Sequence, residues 1–266
     1  MFLSSQGFEG LTVSPDGKTL YVLTQSALIQ EGGLKSKNRR YARFVQYDIS
    51  GSNKTYKAEY IVPLPLYPDG SKVAAQSEIH YVSDTQFLVL ARDSNAGHGQ
   101  DDTESVYRHV DVFDISNATD VKGVSNDAFN GSIASSKGKL HDGIQPAEYC
   151  SFLDFNVNSQ LERFAVHNGG TSDAGLLNEK WESLAMLPVN DKGDDGEFFL
   201  LSLSDNDFIT QDGETSRVGY REDARLTSRA GYMNGGHFHY ADGSGYSLDN
   251  QALVFKVRLP KHARPV

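Results

Sequence analysis

Three glutamates head three similar stretches of this 266-residue chain. They are Glu9 in Gly7-Phe8-Glu9-Gly10-Leu11, Glu78 in Gln76-Ser77-Glu78-Ile79, and Glu182 in Trp181-Glu182-Ser183-Leu184. Each is followed by a short strand-like run, a turn, a second apolar run and then polar or acidic residues: Gln25-Ser26, Arg92-Asp93 and Ser204-Asp205. If the two runs of each unit pair as antiparallel strands, the start of the first lies beside the end of the second. Glu9, Glu78, Asp93, Glu182 and Asp205 then gather at one end of the fold, together with Arg43, Arg92 and Lys180. Carboxylates so close cannot all stay ionised without compensation. A hard divalent cation, Ca²⁺ or another, would supply it through oxygen ligands. Such an ion could hold a phosphate and activate water, with Arg43, Arg92 or Lys180 stabilising the developing negative charge. The same residues also have a structural use. A glutamate at a strand start can accept backbone N–H bonds from a neighbouring unit, and Arg92 can pair with Asp93 or Glu78.

The elements that position these groups repeat. Leu20-Tyr21-Val22-Leu23, Phe87-Leu88-Val89-Leu90 and Phe198-Phe199-Leu200-Leu201 are the second strands. Arg43–Ser50 and His109–Ser116 are close copies of a third strand with period-two alternation, and Leu253–Val257 is a looser copy. Fourth strands are expected at 59–64 and 150–155. Four antiparallel strands recurring every several dozen residues form the blade of a β-propeller. The expected fold is therefore all-β, about three four-stranded blades at 7–66, 76–156 and 180–260. A β-sandwich is the alternative, but it leaves the shared pattern unexplained. Residues 27–40, 94–106, 117–147 and 207–250 are expected as loops, with one short helix between 161 and 180. Propellers have about four to eight blades, so the reading is an incomplete ring, with the missing blades supplied by an absent amino-terminal region. An open ring of this kind is expected to be inactive.

Composition narrows the function classes. A formal charge of −10 leaves no basic face to neutralise phosphates, which excludes nucleic-acid binding. No apolar run reaches the length needed to span a bilayer, and Met1-Phe2-Leu3 leads into polar residues without a signal peptide. The single cysteine, Cys150, excludes an internal disulfide and reads as a small buried residue. Sequons at Asn53, Asn117 and Asn130 are compatible with a secreted glycoprotein.

The order of these motifs resembles the phytase-like family, also described by esterase-like activity of phytase, in its fungal form. The residues carrying the resemblance are Gly7–Leu11 with Val13–Tyr21, Glu78 with Phe87–Leu90 and Arg92-Asp93, Trp181–Ala185, Ser204–Phe208 and Asn250–Val257. The resemblance runs from residue 7 to about 260 and covers the carboxy-terminal part of that domain. It implies a secreted or membrane-associated six-bladed propeller hydrolysing a small phosphorylated or carboxylic ester substrate. A non-catalytic propeller binding a protein or carbohydrate partner is the competing reading.

Other motifs are weaker. His237-Phe238-His239 has the spacing of two metal ligands on one strand face but sits beside Gly235-Gly236, which favours a solvated loop. Asp101-Asp102-Thr103-Glu104 lacks the spacing of an EF-hand loop, and Asp194-Asp195-Gly196-Glu197 reads as a hairpin turn. No Gly-x-Ser-x-Gly elbow supports a serine mechanism.

Overall fold

The computed structural model describes residues 7–98, 100–123, 131–190, 196–205 and 250–259. The His237-Phe238-His239 motif, Asn130 and the Asp194-Asp195 half of the Asp194–Glu197 turn lie outside them.

Three antiparallel four-stranded sheets follow one another along the chain. The first holds β1 (Phe8–Val13), β2 (Thr19–Thr24), β3 (Tyr41–Asp48) and β4 (Thr55–Pro63), in that spatial order. The second repeats the order with β5 (Ala75–Tyr81), β6 (Gln86–Arg92), β7 (Arg108–Asp114) and β8 (Glu148–Asp154). In the third, β9 (Lys180–Trp181) and β10 (Ala185–Pro188) both pair with β11 (Glu197–Asp205), which pairs with β12 (Ala252–Arg258). The inner strand of the third sheet is thus interrupted at Glu182–Leu184.

The sheets stack face to face, and β6 shows why its sequence is a continuous apolar run. Phe87 and Val89 point into a core shared with the first sheet, alongside Tyr21, Leu23, Phe44, Ile79 and Phe113. The intervening Leu88 and Leu90 point into a second core shared with the third sheet, with Val110, Phe155, Trp181, Phe198 and Leu200. Alternation along the strand therefore feeds two cores at once. Close approach of the inner strands β1 and β5 requires Gly10. A Cβ there would lie 2.8 Å from Gln76 Oε1 and 3.0 Å from Ile79 Cγ2.

The long insertion 117–147 packs back on the first sheet: Val121 N donates to Glu59 O and Ala147 N to Ile61 O, both at 2.8 Å. Among the described residues helix is confined to 3-10 turns over Ile29–Glu31 and Ser36–Asn38, one α turn, α1 (Asn158–Leu161), and a 3-10 turn over Glu162–Phe164, so the helix expected between 161 and 180 begins earlier and is shorter. Cys150 is exposed rather than buried, because β8 is the outer edge of its sheet.

Candidate functional site

The rim where β1, β5 and β9 begin brings most of the expected residues together. Strand β1 carries a register shift between Phe8 and Gly10, and β5 one between Gln76 and Glu78. Such bulges re-aim side chains at sheet ends. In the third sheet Lys180 lies opposite Asp205, and Trp181 opposite Ser204.

Arg92 is the hub. Its Nε donates to Ser77 Oγ (3.0 Å), Nη1 to Asp93 O (3.3 Å) and Nη2 to Glu182 Oε1 (2.7 Å), which clasps the second sheet to the third. Lys180 Nζ lies 3.5 Å from Glu182 Oε1 and 3.2 Å from Asp205 Oδ2. Glu78 Oε1 accepts from Leu11 N of the first sheet (3.3 Å) and Ile79 N (2.7 Å). Partial burial, the neighbouring charge of Glu182 and the opposing pull of Arg92 and Lys180 act together on Glu9, and the net effect raises its pKa. Burial also raises that of Glu78, against its two backbone hydrogen bonds. Glu9 is accessible as a whole residue, but its carboxyl is crowded enough to lose part of its water.

Two expected members do not join this group. Asp93 is buried with both oxygens occupied: Oδ1 accepts from Ser105 Oγ (2.7 Å), and Oδ2 from Val106 N (2.6 Å) and Tyr107 N (3.3 Å). It fastens the loop before β7. Arg43 Nη1 donates to Glu59 Oε1 (2.6 Å), its Nε donates to Glu31 Oε2 (3.1 Å), and Nη2 pairs with Glu31 Oε1. Burial opposes the Arg43 charge, but Glu31 and then Glu59 outweigh it and raise the pKa.

The described residues fit a divalent cation poorly. Among them no three His, Cys, Asp or Glu side chains are grouped to hold a metal. Glu182 and Asp205 already face Lys180, Glu182 also Arg92, and Asp93 is saturated by N–H and O–H donors. The compensation that the crowded carboxylates require comes from Arg92 and Lys180, and from the raised pKa values of Glu9 and Glu78.

Two further features left no signal in the sequence pattern. Arg108 lies opposite Arg92 in the ladder and is fully buried. Its Nη2 donates to Ala96 O (2.8 Å) and Nη1 to Asn168 Oδ1 (3.2 Å), and desolvation pulls its pKa down to about 10. Gly97 (φ +126°) makes room for it, since a Cβ there would lie 2.5 Å from Arg108 Nη2. Beside it opens a polar cleft of about 420 Å³ lined by Glu104, Glu162, His167, Asn168 and Asp173. Burial opposes the charge on His167, but Asp173 Oδ1 (3.0 Å from Nε2) and Gly169 O (2.7 Å from Nδ1) raise its pKa. Only a ring protonated on both nitrogens donates to both acceptors.

The sequence profile of the family described as "Phytase-like: Esterase-like activity of phytase" matches residues 2–208. The chain belongs to the phytase-like family. This family is of β-propeller type, in keeping with the four-stranded antiparallel sheets. An uncharacterized secreted protein of Arthroderma benhamiae is 55% identical to this phytase-like chain over 230 residues, covering 81% of the chain and 45% of that protein. The chain thus spans about half the length of the curated relative it matches. A crystal structure of a candidate dipeptidyl aminopeptidase IV from Bacteroides ovatus aligns at 13% identity with a TM-score of 0.29, over 75% of this chain and 20% of that one. That likeness is too distant to define a shared fold. No helix among the described residues is long and apolar enough to cross a membrane.

The raised Glu9 pKa has a consequence for stability. A carboxyl whose folded-state pKa stands above its ordinary 4.5 favours folding while protonated. That contribution is complete below about 4.5 and is lost as pH rises through the folded value. Glu9→Gln is therefore expected to resist urea slightly better than the wild type at neutral pH, by a small margin because Glu9 is exposed and solvent screens its charge. The difference should vanish in acid. A variant weaker than the wild type at neutral pH would contradict the assignment.

Proposed function

We propose that the rim of β1, β5 and β9 is part of an ester-hydrolase site built on a propeller, of which these sheets are three blades of a larger, six-bladed ring. The observation carrying this reading is the set of Glu9 on β1, Lys180 on β9 and the Arg92–Glu182 pair between the end of β6 and the residue after β9, in a chain of the phytase-like family. Glu9, with its raised pKa, takes a proton from attacking water, a task suited to a base whose pKa lies closer to neutrality. Lys180 stabilises the oxyanion that forms on the ester carbonyl, and as the oxyanion collapses the ester C–O bond breaks and Glu9 returns its proton to the departing alcohol oxygen. Arg92 positions Glu182, and through it Lys180.

Charge favours one branch of substrate. Glu9, Glu78, Glu182 and Asp205 outnumber Arg92 and Lys180, so the rim repels a phosphate dianion and tolerates an uncharged carboxylic ester. A phosphoester would need added positive charge, such as Ca²⁺ on ligands beyond those described.

With three inner strands, turnover by this chain alone is expected to be slow, so variants are compared in parallel. The test is hydrolysis of 4-nitrophenyl butyrate and 4-nitrophenyl phosphate, each with and without a chelator. Butyrate hydrolysis should be chelator-insensitive and should fall by about 100-fold in Glu9→Gln and Lys180→Met. Chelator-sensitive phosphate hydrolysis would transfer the site to a metal-assisted phosphoesterase. Absence of turnover, or turnover indifferent to both substitutions, would favour a non-catalytic partner-binding propeller. Secretion, known for the Arthroderma relative by its description, is proposed for this chain as well.

A further inference from the structure

Strands β7 and β8 carry polar side chains that the rim does not use. His109 and Asp111 are two apart on β7 and so share one face of the second sheet. Their partners across the ladder are Asp154 and Ser151. Residues three apart on a regular strand point to opposite faces. Here the register shifts between Val110 and Asp111, and Phe152 is the extra residue on β8. The bulge turns Ser151 and Asp154 to the same face, on either side of one imidazole. Bulges re-aim side chains in this way beside active sites.

His109 Nδ1 lies 3.2 Å from Ser151 Oγ, and its Nε2 lies 3.5 Å from Asp154 Oδ1. Asp111 Oδ1 is 3.5 Å from Nδ1. Ser151 is exposed, whereas Asp111 is fully buried. The imidazole is held in place by Tyr107, whose ring stacks on it at 4.1 Å between centroids with the planes 17° apart. Asp111 is held in turn. Its Oδ2 accepts from Tyr107 Oη (2.7 Å) and Tyr149 Oη (2.9 Å), and its Oδ1 from Phe152 N (3.3 Å). A hydroxyl, an imidazole within reach of it and a carboxylate on the far ring nitrogen are the parts of an activated serine. They are recognised by geometry rather than by sequence motif. In this chain Nδ1 faces the serine and Nε2 the carboxylate.

We propose that Ser151 is a nucleophile that takes an acyl group from an uncharged, activated ester, with His109 as its base and Asp154 as a positioning residue. This site is separate from the rim and does not rest on the roles of Glu9 and Lys180. Ser151 Oγ attacks the ester carbonyl carbon while its proton passes to His109 Nδ1. The tetrahedral adduct then collapses, the bond from that carbon to the alcohol oxygen breaks, and Nδ1 returns the proton to the departing oxygen. The acyl group remains as an ester on Ser151. The imidazolium formed between the two steps has Asp111 Oδ1 beside Nδ1 and Asp154 Oδ1 beside Nε2, and both carboxylates stabilise its charge. The same two carboxylates repel an anionic substrate, which sets the class as an uncharged ester. An alkyl ester on serine has a poorer leaving group than an activated ester, so the acylated chain accumulates.

The test is the first turnover of 4-nitrophenyl butyrate by stopped flow, with the acylated residue located by peptide mass spectrometry after an acid quench. A burst of one 4-nitrophenol per chain and a butyryl group on Ser151 are expected. Ser151→Ala should abolish the burst, and His109→Gln should slow it by about 100-fold. Asp154→Asn should slow it by at least about 10-fold and leave its amplitude at one per chain, which loss of folded molecules would not do. Glu9→Gln should keep the burst and reduce only the linear phase that follows, so the rim and Ser151 are read separately. A burst surviving in Ser151→Ala, a burst lost in Glu9→Gln, or butyryl on another residue in place of Ser151 overturns the proposal. So does a burst rate indifferent to His109→Gln or to Asp154→Asn, and so does a chain that is never acylated.

Discussion

Arg43→Met is expected to destabilise the chain by about 3–5 kcal/mol at neutral pH, because it strands two buried carboxylates. Glu31 is completely buried and Glu59 nearly so. Arg43 reaches both, and Glu31 Oε1 also accepts from Ile133 N at 3.0 Å, tying the 131–144 segment to the same knot. Without the guanidinium, two buried carboxylates face each other with no cation between them. Removing the charges together, as in Arg43→Met with Glu31→Gln and Glu59→Gln, should cost less than Arg43→Met alone. Urea denaturation of these variants at neutral pH makes the measurement. A loss below about 1 kcal/mol at neutral pH would show the knot to be unimportant and would reopen a role for Arg43 outside the fold.

The second large effect belongs to the aromatic core between the first two sheets. Phe87 has its ring centroid 4.7 Å from Phe44, 4.8 Å from Tyr21 and 5.2 Å from Phe113. These spacings suit offset and edge contacts that add to simple burial. Phe87→Ala should cost about 3–5 kcal/mol, since neighbours locked in three strands cannot collapse into the space. Phe87→Leu should cost less, because it keeps most of the volume. Leu88→Ala, one residue along, should cost about 2–5 kcal/mol through the other core. If Phe87→Ala and Phe87→Leu shifted the urea midpoint equally, volume would not be what the core depends on.

Two cations sit among the crowded carboxylates of the rim. Arg92 and Lys180 sit between them, and each spans two carboxylate neighbours or two sheets. The same groups then serve both needs that the sequence leaves open, the structural and the chemical. Glu78 accepts a backbone N–H from the neighbouring sheet, as a purely structural glutamate would, while Glu9 keeps a carboxyl with a raised pKa.

The sequence alone determined the sheet architecture, because period-two alternation and turn residues act locally. The strands expected at 59–64 and 150–155 lie within or overlap β4 and β8. The recurring Glu, strand, turn, strand order also implies that Glu9, Glu78 and Glu182 share one rim, since antiparallel pairing leaves a strand start no other place. What the tertiary structure decided is which side chains are available there. Asp93 and Arg43 have the right residue type at the right register, yet long insertions fold back and consume them: Ser105, Val106 and Tyr107 take Asp93, and Glu31 takes Arg43. Cys150 was misread for a related reason, since burial depends on whether another sheet covers an edge strand. Insertion loops carry no periodicity, so the partners they bring are invisible until the chain is folded. The three glutamates that mark the repeat are thus fixed in place by local pattern, and their chemistry is set by Arg92 and Lys180 reaching across from neighbouring strands.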